Sequence, residues 1–236
     1  GFSNDGGTTP HLTVSGIVVE EGSASIVDCV VSGGELYASL TEGTQAATTG
    51  LWIVYADVRV VRTRLGSGAP RPVEYSGTGT VERTAVATGV RLESGSLTMS
   101  GGTLGFGADV ELYDVAGTAI AKALVRGLLA TGGRATLAGV DVDGSATVAT
   151  DDTGANAGLA RAVVEADIAS VEVSGGAVVR VVNSLVSAPR ADAAADAYVE
   201  GAEAADAVYE AKVDSVAVRV ADGTLDVLHC VLYSDR

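Results

Sequence analysis

Four aspartates gather around the run Val142-Asp143-Gly144-Ser145: Asp141, Asp143, Asp151 and Asp152. Grouped carboxylates beside a glycine suit Ca²⁺, a hard cation that takes about six to eight oxygen ligands. The spacing departs from the EF-hand calcium loop, because no acidic residue stands at the closing position. Aspartate also stabilises turns through hydrogen bonds to its own backbone, and this chain is rich in it. On that basis no metal ligand set and no cofactor is assigned.

Carboxylate pairs can also serve glycoside hydrolysis, where two acids flank the scissile bond. Among 30 acidic residues no pair is singled out by the sequence. The chain lacks a Gly-x-Ser-x-Gly elbow, a histidine-containing metal motif and a phosphate loop. Only His11 and His229 are histidines, so serine or cysteine catalysis has no placed base. No catalytic residue is assigned, and the reading leans towards binding or structure rather than catalysis.

For binding, the candidates are Trp52, Arg59, Arg62 and Arg64. Trp52 lies between Leu51 and Ile53, so alternation points it outward. An outward indole can stack on a sugar ring; a partner chain covering it is the competing reading. The three arginines are the most basic patch of an acidic chain and suit an acidic glycan.

The net charge of −15 argues against nucleic acid and against anionic lipid. Lys122 and Lys212 are the only lysines against 13 arginines (15 basic residues less two). Such a composition fits a halophilic source or a GC-rich genome, and it bears on solubility rather than on fold. No apolar run reaches the ~20 residues of a membrane helix. The chain opens on Gly1 without a visible secretion signal, as a processed chain or a fragment would.

The elements that must position these residues recur. Stretches beginning at Ala24, Val58, Leu97, Ala135, Val179 and Leu225 superpose without a gap over nine columns, with starts 34, 39, 38, 44 and 46 residues apart. A short strand at such a period marks a solenoid, whose repeats bury their apolar faces only against each other. Within each stretch apolar alternation breaks at Asp28, Arg62, Gly101, Gly139, Asn183 or His229. Four of these six are Gly, Asn or Asp, which tolerate the left-handed conformation. The column predicts a bend, and it makes His229 a bend residue rather than a base.

A second strand precedes each of these, as Thr49-Gly-Leu-Trp-Ile53 matches Thr88-Gly-Val-Arg-Leu92. A third comes before that, including Ala121–Val125, Val164–Ile168 and Tyr209–Val213. In this third strand Lys122 is set beside Glu165, and Lys212 beside Asp167. Cys29 and Cys230 share one column in the first and last repeats, roughly 24 Å apart if strands stack at ~4.8 Å. That excludes an intrachain disulfide and predicts two small buried thiols. The segments 66–83, 143–158 and 187–206 read as insertions between coils, with 189–206 either a short helix or a solvated acidic loop. Outward Val27, Val61, Val182 and Leu228, with Val30, Leu185 and Val231, predict an oligomer interface.

Ser25-Ile-Val-Asp-Cys-Val-Val31 and Leu225-Asp-Val-Leu-His-Cys-Val-Leu232 resemble coils of the right-handed parallel β-helix (pectin-lyase-like) superfamily, most closely those of viral tailspikes and fibres. The resemblance covers roughly residues 14–234 and is architectural; no lyase or polygalacturonase motif matches. It implies an all-β solenoid of about six three-strand coils over 14–236, after a tail or connector at 1–13. It implies further a virion-surface, extracellular spike or fibre, a homotrimer meeting other tail proteins and a host-surface polysaccharide. A polysaccharide lyase or hydrolase on the same fold, or a secreted adhesin, are the rival expectations.

Overall fold

The computed structural model describes residues 11–38, 44–74, 77–155, 160–199 and 207–234. Among them are seventeen strands and no helix. Long strands rich in β-branched residues alternate buried and exposed positions, the pattern of a sheet with one face inside. They pair in parallel, each with the strand one repeat further on, so the sheet curls nearly round an axis into a solenoid-like shape.

The nine-column alignment is the register of the structure. Ala24, Val58, Leu97, Ala135, Val179 and Leu225 are paired one to the next, and so are Ile26, Val60, Met99, Leu137, Val181 and Val227. From Ile26 to Val181 the second file is at most 8% exposed, whereas Val227, with no further strand paired beyond it among the described residues, is 38% exposed. All six break residues take the left-handed conformation, with φ between 45° at Arg62 and 65° at Gly101. One such residue turns the chain through a corner and lets the apolar alternation resume on the inside.

The residue after the corner locks it. Thr63 Oγ1 donates to Val61 O at 2.9 Å and accepts the Cys29 N–H at 3.3 Å. Ser184 Oγ likewise donates to Val182 O at 2.9 Å and accepts the Val140 N–H at 3.1 Å. Each hydroxyl therefore ties its own corner to the preceding strand.

A second file brings opposite walls together. Gly16, Gly50, Gly89 and Gly127 fall in one column of the parallel register. A Cβ at Gly50 would stand 2.3 Å from Gly66 O and 2.6 Å from Gly89 O, so backbone occupies the space a side chain would need. At the next position of this column Ser170 is fully buried and donates to Ser187 O at 2.5 Å.

Four expectations need correction. The segments 66–83, 143–158 and 187–206 are not insertions: Ala69–Glu74, Asp141–Ala155 and Arg190–Val199 are strands of the wall where they are described. Arg190–Val199 is not a helix, because Ala191, Ala193 and Ala195 pack inward while Asp192 and Asp196 point out, a period of two. In the last turn Lys212 pairs with Glu165 rather than Asp167, and Tyr209, 69% exposed, pairs with Ala162. That slip is two residues, which keeps every side chain on its face and so leaves no trace in the alternation. Finally, Cys29 is exposed and Cys230 half-buried, each in a turn paired on one side only among the described residues. Both thiols are free.

Candidate functional site

The strands at 44–53, 83–92, 121–130, 164–173 and 211–220 form one wall. Its outer face carries the best-organised polar groups among the described residues. One outward file there runs Val18, Trp52, Arg91, Leu129, Glu172 and Arg219. The Arg91 guanidinium lies 5.0 Å from the centroid of the Trp52 ring and is held from the other side by Glu93 at 2.6 Å. Arg91, from this same chain, therefore half-covers the indole that the sequence left to a sugar or a partner chain. A cation on an indole face contributes roughly 0.5–1 kcal/mol at an exposed site. Trp52 Nε1 is buried without a hydrogen-bond partner, so the polar edge of the ring is unspent. Arg91 was not among the predicted site residues, though the match of Thr88–Leu92 to Thr49–Ile53 already set it beside Trp52.

Further along the wall the charges interlock. Arg126, only 10% exposed in its side chain, reaches Asp167 Oδ2 at 2.9 Å and Glu172 Oε2 at 2.5 Å, and donates to Asp167 O at 2.7 Å. Arg219 meets Asp167 Oδ1 at 2.7 Å, Glu172 Oε2 at 3.2 Å and Asp214 at 2.8 Å. Burial pushes Asp167 up, but hydrogen bonds and charge from Arg126 and Arg219 outweigh it and leave the carboxyl below its usual range. Burial also opposes the charge on Arg219, and its carboxylate partners, Asp167 first, raise it nonetheless. Asp167 is held ionised between the two arginines and is a poor proton donor, and with Glu172 it braces neighbouring strands. Lys122 adds to the brace, 2.8 Å from Glu82 and 3.9 Å from Glu165. A cleft of about 270 Å³ opens beside it, lined among others by Lys122, Glu165, Lys212 and Asp214.

The predicted arginines do not converge with Trp52. The left-handed residues Tyr55 and Arg62 put corners between Trp52, Arg59 and Arg64, so the three lie on successive sides of the coil. Arg59 and Arg64 are exposed. Arg62 is spent at its corner on both carboxylate oxygens of Asp28, 2.7 Å and 2.5 Å away. That contact holds Asp28 below the usual carboxylate range. Asp141 and Asp143 are neighbours on one face of a strand, with Asp143 accepting from Ser187 Oγ at 2.7 Å, and Asp151 stands eight residues beyond Asp143 on the same strand. The side chain of Asp152 lies outside the described residues, and among those described no group of three acids, histidines or cysteines is placed to hold a metal ion.

One carboxylate pair is marked by the structure. Asp109 and Glu111 alternate outward on Gly95–Tyr113, Arg71 stands 3.5 Å from Asp109, and Tyr113 Oη donates to Glu111 at 2.6 Å. Burial, then the charge of Glu111, push Asp109 up against the pull of Arg71. The alternating Asp-Val-Glu-Leu-Tyr run was visible in the sequence; the partial burial was not. Comparison with protein-family models, curated proteins and solved structures finds no match to the chain.

Proposed function

We propose that the chain is a right-handed parallel β-helix of about six coils that serves as a spike or fibre of a virus infecting bacteria or archaea. Its place is the virion surface, with copies of itself, as a homotrimer, and other tail proteins as neighbours and a host-surface polysaccharide as target. The observation that carries this reading is the unbroken parallel register from Ala24 to Leu225, cornered at every turn by a left-handed residue. Such a stack makes a stiff rod, the mechanical requirement of a fibre, and its best-organised charges are spent bracing strand to strand. The glycan contact is assigned to Trp52 with Arg91, a cation laid on an aromatic ring, with Arg59 and Arg64 as exposed cations on the following sides of the coil.

Mass spectrometry of purified virions tests the location: the chain present at structural stoichiometry supports the reading, and its absence from the particle removes it. Trp52 is the single tryptophan, so its fluorescence reports binding directly. Titration with acidic oligosaccharides should shift the emission, and Arg91→Ala should weaken that shift. An unchanged spectrum across a broad glycan panel refutes the assignment to Trp52.

A second reading, hydrolysis on the same fold, is favoured by Asp109 and Glu111. Asp109, pushed up by burial and by the neighbouring Glu111, has the character of the acid that glycosidases use. Release of reducing ends from a capsular polysaccharide, abolished by both Asp109→Asn and Glu111→Gln, would establish it over the purely structural role.

A further inference from the structure

We propose that copies of this chain stack end to end, the turn carrying Leu225–Tyr233 of one copy against the turn carrying Ala24–Ser32 of the next, with Cys230 facing Cys29 across the joint. The stacking deepens the fibre reading and rests on its coil order.

The first argument is the state of the last turn. Val220, Val227 and Leu232 occupy core files, yet they are 47%, 38% and 49% exposed. Their counterparts one turn back, Val173, Val181 and Val186, are 1% exposed or less. A further strand in the same register would restore them to the interior.

The second argument is the match between the two end turns. They belong to one alignment, so continuing the register sets Val227 against Ile26 and Leu232 against Val31. The outward columns beside the corner follow the same logic. Leu228 and Val231 are 39% and 58% exposed at one end, and Val27 and Val30 are 43% and 77% exposed at the other. Between the ends one column runs Val61, Ser100, Ala138 and Val182 and the other Arg64, Thr103, Asp141 and Leu185, so the middle turns carry small or polar residues. The outward apolar residues therefore gather towards the two ends, Val27, Val30 and Val61 at one and Val182, Leu185, Leu228 and Val231 at the other, and end-to-end contact makes the two patches continuous.

The third argument is hydrogen bonding. At three corners the bend N–H donates to a carbonyl of the next turn: Asp28 to Val61 at 3.0 Å, Gly139 to Val182 at 2.9 Å and Asn183 to Leu228 at 3.0 Å. Two residues on, the bond runs back: Arg64 to Cys29 at 3.0 Å, Leu185 to Val140 at 3.0 Å and Val231 to Ser184 at 3.1 Å. Across the joint the same pattern pairs the His229 N–H with Val27 O of the next copy, and that copy's Val30 N–H with Cys230 O. It also sets the His229 imidazole beside the Asp28 carboxylate.

The thiols make the joint testable. Cys29 and Cys230 are the only cysteines of the chain, both are free, and they occupy the same column at opposite ends. Stacked copies bring them to one strand spacing, ~4.8 Å, inside the roughly 4.4–6.8 Å range of Cα separations in disulfides. Within one copy they stand about five spacings apart. A contact between unlike ends does not close, so it propagates as a filament. Each copy carries −15, and salt that screens this repulsion favours growth.

The experiment oxidises the full 236-residue chain in high salt with diamide, an azo oxidant. Each disulfide forms as two thiols lose two protons and two electrons, which reduce the azo group to a hydrazine. Non-reducing electrophoresis should show a ladder of multiples, with the Cys29 peptide joined to the Cys230 peptide. Cys29→Ser and Cys230→Ser should each abolish the ladder alone, and their mixture should give a single cross-linked dimer. Leu228→Asp, an exposed position, should abolish the ladder and the long particles in sedimentation while the circular dichroism of the sheet is unchanged. Like-to-like cross-links, no cross-link from a folded chain, or side-by-side trimers without one would overturn the joint. Failure of the fibre reading looks different: a chain absent from virions that still forms the ladder.

Discussion

Replacing Gly50 by alanine tests whether the two walls of the coil touch where the glycine file runs. The added Cβ would sit 2.3 Å from Gly66 O, at the far end of the same long strand after it has turned its corners, and 2.6 Å from Gly89 O on the neighbouring strand, both backbone atoms. An ordinary carbon–oxygen contact is ~3.3 Å or more, so a wall must move by about 1 Å. Overpacking of this kind costs ~1–3 kcal/mol. Alanine in place of glycine also restricts the unfolded chain, which offsets ~0.4–1 kcal/mol of that. Gly105→Ala is the matched control, because its Cβ meets nothing nearer than Leu65 O at 3.8 Å. That variant should be neutral or gain up to ~1 kcal/mol. In a domain of this size 1 kcal/mol moves Tm by ~2–4 °C, so Gly50→Ala should melt several degrees below Gly105→Ala by circular dichroism. Equal melting temperatures would refute the close approach of the walls.

Two further outcomes follow from the charged wall. A double-mutant cycle on Lys122 and Glu82, half-exposed partners at 2.8 Å, should give a coupling of ~0.2–1 kcal/mol that fades with added salt; a coupling that grows with salt contradicts the pair. Asp167 is held below the usual carboxylate range, so its contribution is complete above the unfolded value of ~3.9 and is lost as pH falls through the lower folded value. Asp167→Asn should therefore be less stable than the parent at neutral pH, with the gap narrowing below about pH 4; a gap of constant size from pH 7 to pH 3 would rule this out.

The alternation and period of the chain were enough to determine the six nine-column stretches, their parallel register and their corners, but not the wall strands at Ala69–Glu74, Asp141–Ala155 and Arg190–Val199. Inward files such as Val60, Met99 and Leu137 must repeat if each turn is to bury its neighbour, and a side chain that must bend left-handed is visible as a broken alternation. The same logic placed Lys122 beside Glu165 and kept Cys29 from Cys230. Tertiary structure alone decided three things. Pairing slips of two residues, as at Lys212, preserve every face and so escape a pattern read by period. Arg91 over Trp52, Arg62 on Asp28 and the partial burial of Asp109 depend on how long side chains lie across a surface, which column identity does not specify. The openness of the last turn, with Val227 and Leu232 in core files yet exposed to water, depends on what stacks beyond them; a residue's column fixes the direction of its side chain, and only the neighbouring strand determines whether that direction is inside.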